Sequence, residues 1–284
     1  MHDPLVSCII PTHNRRVLLE RAMESVLSQS YKNLQAIIVD DASSDDTEAL
    51  VRRFAVKDQR VRYIKNPSPL GPGGARNVGI ASANGDLIAF LDDDDLWLEN
   101  KTTRQVEAIK DFDAVQCGCI TRSGKPMRNY VRKLVKLKDL KRGNILGSTS
   151  CFMAWTPMMR ANPFDEGLPC GEDWDLFIRV CRTGRFAYLP ESLVIYDDGN
   201  HARLTNLISA DLSKTDSMLA VVQKNKDFLG SAWVNYHTAS VLLSYFRSRP
   251  DKMRKLFHTV KRCGFLPVIR VLLSRARAQR FFHQ

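Results

Sequence analysis

The sequence predicts an α/β protein in which a mostly parallel central sheet, flanked by helices, is followed by a helical C-terminal region. Three observations predict it. Short, apolar, β-branched-rich runs recur at residues 6–11, 34–40, 61–65 and 87–91, and each ends in turn-forming or acidic residues, the pattern of a strand buried on both faces. Between the first three, residues 17–27 and 47–54 place apolar side chains at helical spacing. Strand and helix alternating in this way imply right-handed crossovers onto a parallel sheet. From about residue 204 onward the periodicity is helical throughout.

In chain order, the run 6–11 is the first strand, and the polar turn Thr12-His13-Asn14-Arg15 leads to the first helix. The second strand, 34–40, is followed by Ser43, Ser44 and Asp45, which supply N-cap chemistry for the helix after it, with Asp45 and Asp46 read as caps. After the strand at 61–65, Gly71-Pro72-Gly73-Gly74 reads as a flexible turn feeding a helix start. The strand at 87–91 runs straight into Asp92-Asp93-Asp94-Asp95. Further on, 98–110 reads as helix, 114–121 as strand, 122–132 as a hairpin or loop, 148–155 as strand and 173–182 as helix. Helices are expected around 207–228, 232–246, 252–263 and 268–282. No internal repeat or low-complexity segment interrupts this order.

Bulk properties bound the function. The 284 residues suffice for a sizeable core, and 44% hydrophobic with 26% charged residues is an ordinary globular balance. No cationic leader with a cleavage site is visible, and the most apolar stretches, near 232–246 and 264–273, fall short of the ~20 residues that span a bilayer. The seven cysteines form no C-x-x-C pair, so reduced, mostly buried thiols in a cytoplasmic setting are expected. The net charge of +11 is concentrated. Residues 247–284 hold eleven Lys/Arg against Asp251, and residues 122–142 hold nine against Asp139, which leaves the remainder net acidic. Localised contact with an anionic surface follows.

Four segments fall at the carboxyl ends of expected parallel strands, where open α/β sheets bind ligands: residues 6–15, 39–47, 71–79 and 92–95. Four adjacent carboxylates repel one another, so a cation is expected beside them. Mg²⁺ or Mn²⁺ holding a diphosphate suits such a group, because these ions take one or two carboxylates and complete their shell with phosphate and water. The glycine turn is a poor dinucleotide fingerprint, and no Lys-Ser/Thr follows to make a P-loop.

In combination these segments resemble inverting nucleotide-sugar glycosyltransferases of family 2, which have the Rossmann-like GT-A fold; the likeness covers roughly residues 5–198. The resemblance implies a metal-dependent, inverting hexosyltransferase with a nucleoside diphosphate sugar donor, usually UDP-linked. It implies that Pro11, Thr12 and Asn14 line the nucleoside pocket, that Asp41 accepts a hydrogen bond from the base, and that Arg76 lies against the nucleotide. Asp92-Asp93-Asp94 would be the D-x-D element, with Asp94 the direct metal ligand and Asp92 or Asp93 reaching the ribose or metal-bound water. Gly171-Glu172-Asp173-Trp174-Asp175 matches the acidic pair before the acceptor helix, with Asp173 the general base and Glu172 and Trp174 on the acceptor side. His201, in Tyr196-Asp197-Asp198-Gly199-Asn200-His201, would complete the metal shell or contact the diphosphate, with Arg203 assisting.

Such transfer needs one carboxylate to take the acceptor proton and Mn²⁺ or Mg²⁺ to neutralise the departing diphosphate, without the covalent step of a retaining glycosidase. The expected domains are 1–203 (donor-binding to about 97, acceptor-binding from 98) and a basic helical region, 204–284. The expected acceptor is a glycan or a lipid-diphosphate-linked sugar of cell-surface polysaccharide, lipopolysaccharide or O-antigen biosynthesis. Work would take place peripherally on the inner face of the cell membrane, the C-terminal helices lying on anionic lipid.

Plainer roles stand beside these. Asp41 could cap the helix beginning near Ser44, Arg76 could be a surface ion pair, and Asp173 could cap its own helix. Trp174 could pack rather than stack on a sugar, and His201 could be a surface imidazole. A nucleic-acid-binding protein using the basic segments is the alternative function; it calls for aromatics interleaved with Lys/Arg or a DNA-reading motif, and neither is present, so no nucleic acid is expected.

Overall fold

The structure, a computed structural model, describes residues 3–127, 132–199, 215–244 and 252–282. The chain separates into two compact units: Met1–Leu140 with Asn144–Gly167 and Glu172–Gly199, and Asn200–Gln284 with the short segments Lys141–Gly143 and Leu168–Gly171.

The first unit is built on one mixed sheet. Strands β1 (Val6–Thr12), β2 (Leu34–Asp40), β3 (Val61–Lys65) and β4 (Leu87–Phe90) are parallel neighbours, and β6 (Ala114–Thr121) lies parallel to β9 (Phe186–Tyr196). Strand β8 (Phe152–Trp155) runs antiparallel between β4 and β6, β7 (Pro126–Met127) pairs antiparallel with β6, and β5 (Leu96–Trp97) pairs antiparallel with β9. The order is β3-β2-β1-β4-β8-β6-β9-β5. The parallel expectation thus describes the half of the sheet that carries the first motifs, and the second half mixes directions.

Helices α1 (Arg16–Leu27), α2 (Thr47–Lys57), α3 (Gly71–Ser82), α4 (Lys101–Ala108), α5 (Thr156–Ala161) and α6 (Glu172–Thr183) complete this unit. The apolar stripe of α1 (Leu19, Ala22, Met23, Val26) shares a core with Val6, Cys8, Ile10, Ala36 and Ile38. Alternate strand residues point the other way. There Phe90, Phe152, Phe177 and Phe186 meet with ring centroids 5.5–6.4 Å apart. Burying such rings is worth about 1.5–3 kcal/mol each, so both faces of the sheet are held by apolar burial.

Several elements differ from the sequence reading. The glycine-rich stretch is itself helical from Gly71, because its first amides are capped from elsewhere in the fold. Residues 148–151 do not join β8: Ser148 Oγ accepts from the Ser150 amide at 3.0 Å and Thr149–Cys151 form a 3-10 turn, so the strand begins at Phe152. Strands β5 and β9 and helix α5 had no sequence forecast.

The second unit is helical: α7 (Thr215–Lys224), α8 (Lys226–Leu229), α9 (Ser231–Leu242), α10 (Lys252–Cys263) and α11 (Phe265–Phe282). Ala239, Leu242 and Leu243 pack with Cys263, Val268 and Val271. The expected helical residues 207–214 and 245–246 lie outside the described residues, and the last helix starts at Phe265 rather than 268. No helix of the described residues is long and apolar enough to cross a membrane.

Candidate active site

Strands β1, β2 and β4 end side by side, and the loops beyond them interlock. Asn14 takes a left-handed backbone (φ 54°), a conformation an Asn tolerates better than most side chains, and turns its Oδ1 to accept from the Ser44 amide at 2.8 Å. Ser43 Oγ accepts from the Asn14 amide at 2.9 Å, and His13 Nδ1 lies 2.7 Å from the Asp41 carbonyl oxygen. Pro11, which has no N–H to donate, sits beyond the last β1–β4 pair, Ile9↔Phe90. Asp45 caps α2 by accepting from the Thr47 amide at 3.1 Å.

Asp41 is a cap, but of a different helix from the one its neighbours suggested. Its Oδ1 accepts from the Leu70 amide (2.8 Å) and Asn66 Nδ2 (2.8 Å), and its Oδ2 from the Gly71 amide (2.9 Å) at the start of α3. A carboxylate offers roughly four acceptor positions, so one remains for a ligand. Asp40 is spent on structure: it accepts from the Ser43 amide at 2.7 Å and from the Tyr63 hydroxyl at 2.5 Å.

The acidic run divides by direction. Asp95 turns inward, accepting from Ser150 Oγ (2.7 Å) and the Asp197 amide (3.0 Å), and so ties the loop to the end of β9. Burial, with Asp92 and Asp94 close by, holds its carboxyl well above the usual range. Asp93 accepts from Thr12 Oγ1 at 2.8 Å and from Arg15 Nη1 at 3.0 Å, and the same Arg15 nitrogen donates to Asp94 Oδ2 at 3.1 Å. Burial pushes Asp93 up to about 6, Arg15 pulling down against it and Asp94 adding to the rise.

Arg76 connects this run to α6. Its Nη2 donates to Asp92 Oδ1 at 2.6 Å and its Nη1 to Glu172 Oε1 at 3.1 Å. The guanidinium is buried over the Phe164 ring, 5.2 Å from its centroid. Burial alone would lower its pKa, but Asp92, Glu172 and Asp173 outweigh that and raise it, so it stays charged. It is an interior ion pair rather than a surface one.

Asp173 follows in the first turn of α6, where carboxylates are favoured by the helix dipole. Asn144 Nδ2 donates to its Oδ2 and the Trp174 amide to its Oδ1 at 2.6 Å. Trp174 is 5% exposed and its Nε1 donates to the Leu140 carbonyl at 2.8 Å, so it packs and offers no ring face to a sugar. His201 and Arg203 lie outside the described residues.

The structure thus gathers Thr12, Arg15, Asp93 and Asp94 in one hydrogen-bonded group and Arg76, Asp92 and Glu172 in another, with Asp173 next to Glu172 and close enough to act on the Arg76 charge, and Asn14 and Asp41 on the neighbouring loops. The sequence reading missed Arg15, Asn144, Ser150 and Ser148, whose Oγ donates to Asp92 Oδ2 at 3.2 Å. Arg15 carried a signal, being a cation directly after the first strand and so aimed at the same edge as the acids. Ser148, Asn144 and Ser150 carried none, since short polar side chains before a strand are common in any loop.

Among the described residues no group of three or more His, Cys, Asp or Glu is arranged to enclose a metal. One or two carboxylates beside a diphosphate suffice for Mg²⁺ or Mn²⁺. The donor set fits that kind of site: hard oxygen ligands on Asp93 and Asp94, in a run whose negative charge Arg15 and Arg76 only partly offset.

Residues 7–168 match the family model "Glycosyl transferase family 2". The chain is 44% identical over 106 residues to the Escherichia coli "UDP-Glc:alpha-D-GlcNAc-diphosphoundecaprenol beta-1,3-glucosyltransferase WfaP", covering 37% of this chain and 41% of that protein. The chain spans about a third of the length of several curated relatives it matches, 27% to 33% for three of them. Among solved structures, S. aureus TarS 1-349 in complex with UDP-GlcNAc superposes with a TM-score of 0.66 at 18% identity, covering 91% of this chain and 81% of that one. The mannosyltransferase PcManGT of Pyrobaculum calidifontis, in complex with GDP-Man and Mn²⁺, gives 0.62 at 18% identity, covering 98% and 81%.

Proposed function

This chain belongs to glycosyltransferase family 2, and we propose that it transfers a hexose, with inversion, from a UDP-sugar to a lipid-diphosphate-linked or glycan acceptor in cell-surface polysaccharide, lipopolysaccharide or O-antigen synthesis. The observation that carries this reading is Arg76, which holds Asp92 of the acidic run and Glu172 beside Asp173 in one hydrogen-bonded unit. Donor and acceptor carboxylates are thereby kept at one edge of the sheet. The E. coli relative, named for a UDP-Glc donor and a GlcNAc-diphosphoundecaprenol acceptor, supports the substrate classes.

In this reading Thr12, Asn14 and Asp41 border the nucleoside, with Pro11 fixing the β1 end beneath it, and Asp41 uses its remaining acceptor position for the base. Arg76 and Asp92 lie against the nucleotide. Asp94 is the direct ligand of a divalent cation, with Asp93 reaching the ribose or metal-bound water, and His201 is a further ligand candidate. Bound there, Mn²⁺ or Mg²⁺ would neutralise charge on the leaving diphosphate.

Asp173 removes the proton from the acceptor hydroxyl while that oxygen bonds to the anomeric carbon. The bond from carbon to diphosphate oxygen breaks, and UDP departs with the electron pair. A single displacement from the opposite face inverts the centre. Asn144 and the Trp174 amide orient the Asp173 carboxylate for that role. The proposed division of labour is donor binding by residues up to about 97 and acceptor binding by 98–203. With such an acceptor the enzyme would work peripherally at the inner face of the cell membrane.

The test is UDP release with Mn²⁺ and a lipid-diphosphate sugar. Asp173→Asn is expected to lower turnover by ~10²–10⁴-fold, the usual contribution of a general base, with donor binding retained. Equal loss of both would remove Asp173 from the role. Activity unchanged by EDTA or by Asp94→Ala would remove the metal.

A further inference from the structure

Residues 252–282 contain nine Lys/Arg and no Asp or Glu. Helices α10 and α11 use their inner faces on the core of the second unit, where Leu256, Val260, Cys263, Val268, Val271 and Leu272 pack together. A helix with a satisfied inner face normally turns polar residues to water. Here the exposed residues include large apolar side chains set among the cations. Met253 and Phe257, one turn apart on α10, are 70% and 76% exposed. Phe265 and Leu266, at the start of α11, are 66% and 73% exposed, and Leu273 is 54% exposed.

Five of the nine large apolar side chains exposed among the described residues therefore lie on these two helices. The turn between them concentrates the effect. Gly264, at φ 84°, closes α10 by donating its amide to the Val260 carbonyl at 2.8 Å, and Phe265 and Leu266 follow at the corner. Arg254, Lys261, Arg262 and Arg270 are exposed on the same two helices.

We propose that this corner docks on an anionic phospholipid surface, Met253, Phe257, Phe265 and Leu266 entering the headgroup boundary while the flanking Lys and Arg meet lipid phosphates. Apolar tips set among cations match an interface that is anionic outside and apolar just beneath. A nucleic acid would satisfy the cations and leave the exposed rings in water. The helices lie on the bilayer, since neither can span it. The surface deepens the reading of a lipid-linked acceptor and rests on that reading for its purpose.

The experiment is co-sedimentation of the full chain, without sugar nucleotide, with phosphatidylcholine vesicles containing or lacking phosphatidylglycerol. Binding is expected with phosphatidylglycerol only and is expected to weaken with salt. The double variant Phe257→Ser/Leu266→Ser should lose about tenfold in vesicle affinity, since each side chain withdraws apolar area from the boundary. Arg254→Gln/Arg262→Gln should lose the preference for anionic lipid. All these side chains are exposed, and an unchanged circular dichroism spectrum checks that the variants fold. Lack of vesicle binding, binding indifferent to lipid charge, wild-type binding by the serine variant, or tighter association with polyglutamate than with vesicles would each overturn the proposal. A chain that binds vesicles yet releases no UDP would leave the docking surface intact and count against the transferase reading alone; the converse would spare the transferase.

Discussion

Lys101 shows what a single residue can conceal. It is fully buried, with Nζ 3.5 Å from the centroid of the Trp97 ring and without a hydrogen-bond partner. Burial lowers its pKa from 10.5 to about 8, against a small opposing pull from Cys117, Cys8 and Cys151. The unfolded chain therefore binds more protons than the folded one between about pH 8 and 10.5, and this residue's contribution to stability rises with pH across that window. Below pH 8 both states are protonated and the full penalty, on the order of a few kcal/mol, is present. Lys101→Met should raise stability at pH 7, with an advantage that shrinks toward pH 10 in paired urea titrations. An advantage that does not change with pH would show the gain to be one of packing. In the sequence Lys101 is an ordinary polar residue at the start of a helix; only the fold places it between Trp97 and the thiols. Arg76 is the complementary case, because its position against the nucleotide was an expectation, whereas its pairing with both Asp92 and Glu172 needs two segments far apart in the chain.

At the scale of elements, α3 overturns its own propensity. Four glycines and a proline in Gly71–Ser82 argue for a flexible turn, since each interior glycine costs a helix about 1 kcal/mol relative to alanine. The Asp41 carboxylate on the Leu70 and Gly71 amides offsets part of that cost, and the missing side chains let the helix approach the sheet. A Cβ on Gly79 would stand 2.4 Å from Ile9 Cγ2. Gly79→Ala should therefore destabilise by ~1–3 kcal/mol through overpacking, exceeding any gain in propensity. Thermal unfolding of the variant and of Gly79→Ala/Ile9→Ala tests this, because trimming Ile9 should recover part of the loss. Strand β9 escaped the sequence reading for a related reason. Pro190 and Glu191 interrupt its apolar run, and in the structure they fall in an irregularity where Cys117 pairs with Leu189 and Gly118 with Ser192. A proline that reads as a strand breaker is accommodated by a bulge whose partner strand supplies a glycine.

For the molecule as a whole, a bound donor should stabilise the folded chain by mass action, by roughly 2.7 kcal/mol at a hundredfold excess over Kd. A UDP-sugar with Mn²⁺ is therefore expected to raise Tm by several degrees, and EDTA to abolish most of the rise. A panel of nucleotide sugars in the same assay identifies the sugar, and a rise unaffected by EDTA would separate donor binding from the metal. The sequence by itself determined the alternation of strands and helices through β4, the acidic ends of those strands and the concentration of cations near the C-terminus. These follow from local periodicity and composition, which neighbouring residues carry without help. Only the tertiary structure decided that Asp95 serves the fold while Asp93 and Asp94 face Arg15, that Asp41 caps α3, and that Trp174 packs. Those choices depend on which side chains meet across strand ends brought together by crossovers, and a hydrogen bond between residues eighty positions apart leaves no local pattern in the chain.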